Sequence, residues 1–169
     1  MYNLYIKQKV FKITDHYEVL DENNKAIYYV DQDFRLIGNR VHVHRYDNSK
    51  DFTIDRRVVT LMPRYDITFS DGKSFEIKQN FTIFNKEIEL LSSDYNLKLV
   101  GNFWDLDFEV YDYGKKIGEI HKEWISWGDT YTIRVIDPYY EEELVALLIA
   151  LDEIKDYEKK TNNGSQTQY

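Results

Sequence analysis

Residues 141–157 read EEELVALLIALDEIKDY, and inside them Leu144-Val145-Ala146-Leu147-Leu148-Ile149-Ala150-Leu151 is apolar without a break. At 3.6 residues per turn, such a run covers the whole circumference of a helix. A helix that is apolar all round has to be buried all round. The run falls well short of the roughly 18 residues that a transmembrane helix takes, so its burial is inside protein. The sequence before it fits a helix start. Asp137 is a good N-cap, Pro138 suits a first helical turn, and Glu141, Glu142 and Glu143 sit at the positive end of the helix dipole. The spacing predicts a helix over Tyr140–Tyr157.

Almost everything upstream alternates with period two. His16–Leu20 and Ala26–Val30 flank an Asp-Glu-Asn-Asn-Lys turn, Tyr65–Phe69 and Ser74–Lys78 flank Ser-Asp-Gly-Lys, and Phe108–Tyr111 and Ile117–His121 flank a turn with Gly114. Turn residues between β-prone runs are the signal of hairpins. Further strands are read at Tyr2–Lys12, Phe34–Gly38, Val41–Tyr46, Phe52–Ile54, Val58–Met62, Phe81–Phe84, Ile88–Leu90, Leu97–Leu106 and Tyr131–Ile136. About a dozen strands and one wholly apolar helix have an economical solution. The fold expected is mainly β, a closed antiparallel barrel with the helix filling an interior too wide for strand side chains alone. Residues 1–157 make one domain, and 158–169 a polar, frayed tail.

The 169 residues are 43% apolar and 16% aromatic, with a formal charge of −8. That charge argues against bulk nucleic-acid binding, which a basic face supplies, and against general adhesion to anionic membrane. There is no cysteine, hence no disulfide or thiolate chemistry. The N-terminal residues read as a strand rather than a signal peptide, and the expected location is the cytoplasm.

Several segments in order resemble the LURP-one-related family, in its bacterial YxjI-like branch. They are Gly101-Asn102-Phe103-Trp104 running into Phe108-Glu109-Val110, Gly114-Lys115, Ile117-Gly118-Glu119-Ile120, Asp129-Thr130-Tyr131, and the terminal apolar helix ending in Ala150-Leu151-Asp152. The resemblance covers nearly the whole chain to about Tyr157. It implies a tubby C-terminal-like fold, shared with phospholipid scramblases: twelve strands around a central hydrophobic helix. Tubby-like domains bind phosphoinositides and scramblases act on membrane lipid, so the resemblance also raises an anionic lipid headgroup as a ligand. This chain departs from them in its acidic balance and in having no membrane-anchoring segment after the helix.

Candidate chemistry is sparse. His42 and His44 share one strand face and could share a metal ion, but spacing supplies no third ligand, and two exposed histidines account for them. Asp31 with Asp33, and Asp105 with Asp107, lack the surroundings of an acid–base pair or a Ca²⁺ loop. Asp152 marks where the helix leaves the barrel. Arg56, Arg57 and Arg64, and Lys115, Lys116 and Lys122, are local basic clusters that could hold a phosphate or lipid headgroup. Trp124 and Trp127 could anchor a protein partner or plug a barrel end. No nucleophile, base and oxyanion set can be assembled, and no cofactor motif appears. The expectation is a non-catalytic module without cofactor, with a lipid-headgroup binder and a protein-interaction scaffold as the alternatives.

Overall fold

The alternating runs fold into twelve strands: β1 (Tyr2–Lys7), β2 (His16–Asp21), β3 (Ala26–Phe34), β4 (Asn39–Arg45), β5 (Asp51–Arg57), β6 (Arg64–Phe69), β7 (Ser74–Phe81), β8 (Lys86–Leu91), β9 (Leu97–Asn102), β10 (Asp107–Asp112), β11 (Lys115–Ile125) and β12 (Gly128–Val135). A computed structural model describes residues 1–7, 16–34, 39–57, 64–81, 86–102, 104–125 and 128–164. The strand expected over Val58–Met62, most of those expected over Phe34–Gly38 and Phe81–Phe84, and the second half of that expected over Tyr2–Lys12 lie outside these residues. Every ladder is antiparallel, in the order β8-β7-β6-β5-β4-β3-β2-β1-β12-β11-β10-β9. The first and last strands pair from Tyr2↔Val135 to Lys7↔Thr130, which curls the sheet into a nearly closed barrel. Among the described residues the ladder order ends at β8 and β9, which are consecutive in sequence.

One face of the sheet is apolar because the period-two pattern puts alternate residues there. Ile6, Val19, Val30, Val43, Ile54, Ile67, Ile77, Val110, Ile120 and Ile133 all point inward, none more than 1% exposed. They surround α1 (Glu141–Gly164), which a 3₁₀ turn over Pro138–Tyr140 introduces. Asp137 caps that turn, accepting from the Tyr139 amide at 3.1 Å. The apolar run of α1 is as buried as its sequence demands: Leu144, Val145, Leu147, Leu148, Ile149 and Leu151 are at most 1% exposed. At about 1.5–3 kcal/mol each, these six contribute about 9–18 kcal/mol of gross burial, comparable to a domain's whole net stability. Gly118 of β11 makes room for the helix: a Cβ there would stand 2.4 Å from Leu144 Cδ1.

Below Leu151 the interior turns polar on both sides of the contact. Tyr131 donates to Asp152 at 2.9 Å, Gln32 to Glu153 at 3.1 Å, and Gln79 to Glu158. The Arg56 guanidinium lies 4.6 Å over the Tyr157 ring. The helix runs on to Gly164, seven residues past its expected end. The helix carries too many charges in this part to cross a membrane, and no helix among the described residues is long and apolar enough to do so.

Candidate functional site

The basic residues nominated from sequence occupy two faces of the barrel. Phe52, Ile54 and Arg56 alternate toward the interior, so Arg56 faces α1, while Arg57 points outward. On the outer face, register sets Asp55, Asp66 and Glu76 side by side in one row, and Arg57, Arg64 and Lys78 in the next. Like charges directly opposite would repel, but the diagonal pairs neutralise them. Arg57 grips Asp66, Arg64 reaches Glu76 at 3.1 Å, Arg40 holds Asp55, and Lys78 reaches Glu89 at 3.4 Å. An open cleft of about 760 Å³ runs over this face, lined by Asp55, Asp66 and Glu76 around Arg57.

Lys115 and Lys116 are divided in the same way. Lys115 pairs with Asp137 at 2.6 Å, and Lys116 sits between Glu109 and Glu119, 2.5 Å from each. Lys122 is half-buried on the side of β11 that Ile120 faces, and it is not free. Its charge acts on Lys155 of α1, whose ammonium is pushed below its ordinary range first by burial and then by Lys159 and Lys122, against Asp152 and Asp105. Trp124 stands in β11 opposite Asp129; its side chain and the whole of Trp127 lie outside the described residues.

His42 and His44 stack with centroids 6.3 Å apart and planes 2° from parallel, as two outward neighbours on a strand should. His44 Nδ1 is 3.0 Å from Asp51, His42 Nε2 is 4.0 Å from Asp33, and Asp31 pairs with His16 at 3.0 Å. Among the described residues, no three His, Cys, Asp or Glu side chains converge to hold a metal ion. Asp105 accepts from Asn102 within its own turn, at 2.6 Å.

Two polar clusters were not singled out from sequence. The first is where α1 enters the barrel. Glu141, 5% exposed, accepts from Tyr2, from Tyr28 at 2.6 Å and from Arg45. Burial, reinforced by the Glu141 carboxylate, pushes both tyrosine hydroxyls well above their usual range. Glu142 pairs with Lys50 at 2.6 Å, and Glu143 accepts from Tyr95 at 2.7 Å while its second oxygen has no hydrogen-bond partner among the described residues. Burial therefore raises the Glu143 pKa. A hollow of about 440 Å³ opens beside Arg45 and Glu141, walled by Tyr2, Asp21, Glu22 and Ile27.

The second cluster lies on the outer face of β10–β12. His121 Nδ1 is 2.6 Å from Asp107 and its Nε2 3.2 Å from Glu119. Burial opposes its charge, but the two carboxylates outweigh burial and raise its pKa. Glu119 is drawn down to about 2, chiefly by Lys116 and against burial, with His121 and Arg134 adding. A hollow of about 300 Å³ adjoins it, bounded by Glu22, Glu123, Thr132 and Arg134. The alternation of β11 already places Glu119, His121 and Glu123 on one face; the Asp107 contact depends on the register of β10 with β11, which no local signal carries. The Glu119 and His121 shifts arise from ion pairs that close on one another, whereas those of Tyr2, Tyr28 and Glu143 arise first from burial.

Comparison with known proteins agrees with this architecture. The chain is 26% identical over 151 residues to the uncharacterized protein YxjI of Bacillus subtilis (strain 168), covering 89% of this chain and 91% of that protein. Its fold is similar to the X-ray structure of a protein from Arabidopsis thaliana, with a TM-score of 0.57 over 90% of this chain and 91% of the other, at 11% identity. The LURP-one-related family model matches residues 2–152, and the chain belongs to that family.

Proposed function

We propose that the chain is a non-catalytic globular module that acts by binding, and that anionic lipid is not its ligand. The observation that carries this reading is the commitment of the candidate cations: Arg57, Arg64, Lys115 and Lys116 each have carboxylate partners, and Arg56 is turned onto Tyr157. A headgroup would have to displace those partners, against a chain of net charge −8. Four basic residues at about 1 kcal/mol each give about 4 kcal/mol even without that competition, a millimolar affinity. The shifted groups at the two hollows fit burial and structural ion pairing, with no acid–base task implied. The reading places the module in the cytoplasm, a compartment suited to a chain without cysteine.

Liposome co-sedimentation at about 0.15 M salt, near the physiological screening length, tests it. The chain is expected to stay in the supernatant with and without phosphoinositide in the vesicles. Micromolar, headgroup-selective pelleting that Arg57→Glu or Arg64→Glu abolishes would overturn it in favour of a lipid-headgroup module.

A further inference from the structure

The odd-numbered strands, β1 to β11, all run away from the end where α1 enters, so the hairpin turns between β2 and β3, β4 and β5, β6 and β7, and β10 and β11 gather at that end. Three of these turns hold a residue in the left-handed region, and they use Asn24, Asn48 and Gly72 for it. The β10–β11 turn uses Tyr113. At φ +46°, followed by Gly114 at +79°, Tyr113 is the first central residue of a two-residue turn, where Asn, Asp or Gly ordinarily stands. Leu106 is also left-handed, at φ +57°, but it is 0% exposed and its core packing offsets the strain. Tyr113 has no such compensation. It is 72% exposed, and its side chain has no hydrogen-bond, ion-pair or ring partner among the described residues. A bulky side chain that is both strained and unburied indicates a use outside the fold.

The neighbours of Tyr113 are firmly held. Tyr140 donates to Asp112 at 2.7 Å and packs edge-on against Tyr139, itself 60% exposed, with ring centroids 5.1 Å apart. Lys73 and Lys115 are taken by Asp71 at 2.8 Å and Asp137 at 2.6 Å. Asp94 and Asp112 have only neutral hydrogen-bond donors among the described residues. Asp94 accepts from the Ser74 amide at 3.0 Å, and Asp112 from the Asn96 amide at 2.6 Å besides Tyr140. The Tyr113 amide donates to the Asn96 carbonyl at 3.4 Å, which joins the turn carrying Asp94 to the one carrying Tyr113. An exposed ring and two carboxylates without a cation therefore lie on adjoining turns.

We propose that this end of the barrel docks an arginine-bearing segment of a partner protein, with Tyr113 as the ring on which the guanidinium stacks. The inference rests on the binding-module reading and names the partner that module takes. Ring and carboxylate together suit arginine, whose planar ion stacks on an aromatic face while its N–H fork pairs with an exposed carboxylate such as Asp94. Tyrosine and arginine are also the residues that carry most binding energy at protein interfaces. A chain of net charge −8 draws a basic partner at long range. The same charge disfavours a second copy, because a two-fold contact would bring Asp94 and Asp112 against their own counterparts. The segments outside the described residues follow β1, β3, β5, β7, β9, β11 and α1, all of which run away from this end, so they begin at the opposite one.

Tyr113→Asn puts a favoured residue into the turn, so it should keep the fold and raise Tm by about 2–4 °C. The probe is a random heptapeptide phage library panned on the full chain, with counter-selection on Tyr113→Asn. The surviving pool is expected to be at least threefold richer in arginine than the input. Its synthetic members should shift the amide resonances of residues 112–115 and bind Tyr113→Asn at least about tenfold more weakly. Asp94→Asn still accepts from the Ser74 amide, and it should weaken binding at least about threefold, as should citrulline in place of arginine. An empty pool, a pool without arginine enrichment, or affinity unchanged by citrulline or by Asp94→Asn would each overturn the proposal. A lower Tm in Tyr113→Asn would also overturn it, by showing that the ring serves the fold. Shifts at residues 112–115 that grow with chain concentration without peptide, with a doubled sedimenting mass, would overturn it in favour of a second copy. Headgroup-selective vesicle pelleting would sink the wider reading while leaving this result standing, and an empty pool would do the reverse.

Discussion

Substituting Gly118 by Ala tests how closely the helix is fitted to the wall. A Cβ at this position would meet Leu144 Cδ1 at 2.4 Å, Leu144 Cδ2 at 2.8 Å and the Arg134 carbonyl oxygen at 3.0 Å. Leu144 has no solvent to turn into, because it is 0% exposed in the first turns of α1. Relief therefore needs a displaced helix or a strained rotamer, and overpacking of this kind costs about 1–3 kcal/mol. The entropy that alanine removes from the unfolded chain returns about 0.4–1 kcal/mol. The net expectation is a loss of about 1–2 kcal/mol, or a Tm lower by about 2–8 °C for a domain of this size. Urea denaturation should show the midpoint falling at constant m-value. Leu144→Ala alone should cost about 2–5 kcal/mol through the cavity it leaves. In the double variant the added methyl occupies part of that cavity, so the two losses should fall short of additivity by at least about 1 kcal/mol. A neutral Gly118→Ala, or losses that add within about 0.3 kcal/mol, would refute the direct contact.

Two further outcomes follow from the mouth where α1 begins. Arg45→Met leaves Glu141 buried with two tyrosine hydroxyls and no cation, and should cost about 3 kcal/mol in urea denaturation; adding Glu141→Gln should recover much of it, and a cost below about 0.5 kcal/mol would refute the pairing. Glu143 has a folded pKa raised by burial, so the folded state holds the proton more tightly than the unfolded one. Stability from this group is then full below its unfolded pKa of about 4.3 and is lost as pH rises through the higher folded value. Glu143→Gln, which keeps the Tyr95 hydrogen bond, should therefore raise Tm relative to the parent more at pH 8 than at pH 4; an equal or opposite difference would contradict the burial of an unpaired oxygen.

The barrel and its helix were legible because both rest on local periodicity. The run Leu144–Leu151 can only be a buried helix, and the Asp71-Gly72 turn, with Gly72 at φ +89°, can only reverse a hairpin. Placement of the charges was less legible, although part of the signal was present. Arg56-Arg57 and Lys115-Lys116 look like clusters in a linear reading. Neighbours on a strand point to opposite faces, so Arg56 reaches Tyr157 while Arg57 grips Asp66. Their carboxylate partners come from strands that only the register brings alongside, as Asp107 comes to His121. The helix end was underestimated for a similar reason. Residues 158–164 look polar and weak by propensity, and what holds the approach to them, Gln79 and Arg56, lies about 80 to 100 residues earlier in the chain. Which strands end the sheet had no local signal, since that is a property of the whole ladder order.

The sheet holds its barrel form because α1 fills it. The most direct measurement is urea denaturation of a chain ending at Tyr140, followed by tryptophan fluorescence and amide NMR dispersion, with and without a synthetic peptide spanning residues 141–164. Loss of about 9–18 kcal/mol of gross apolar burial should leave residues 1–140 without a cooperative transition or dispersed spectrum, and the peptide should restore both. A fragment 1–140 that is soluble and dispersed and melts cooperatively by itself would contradict the account.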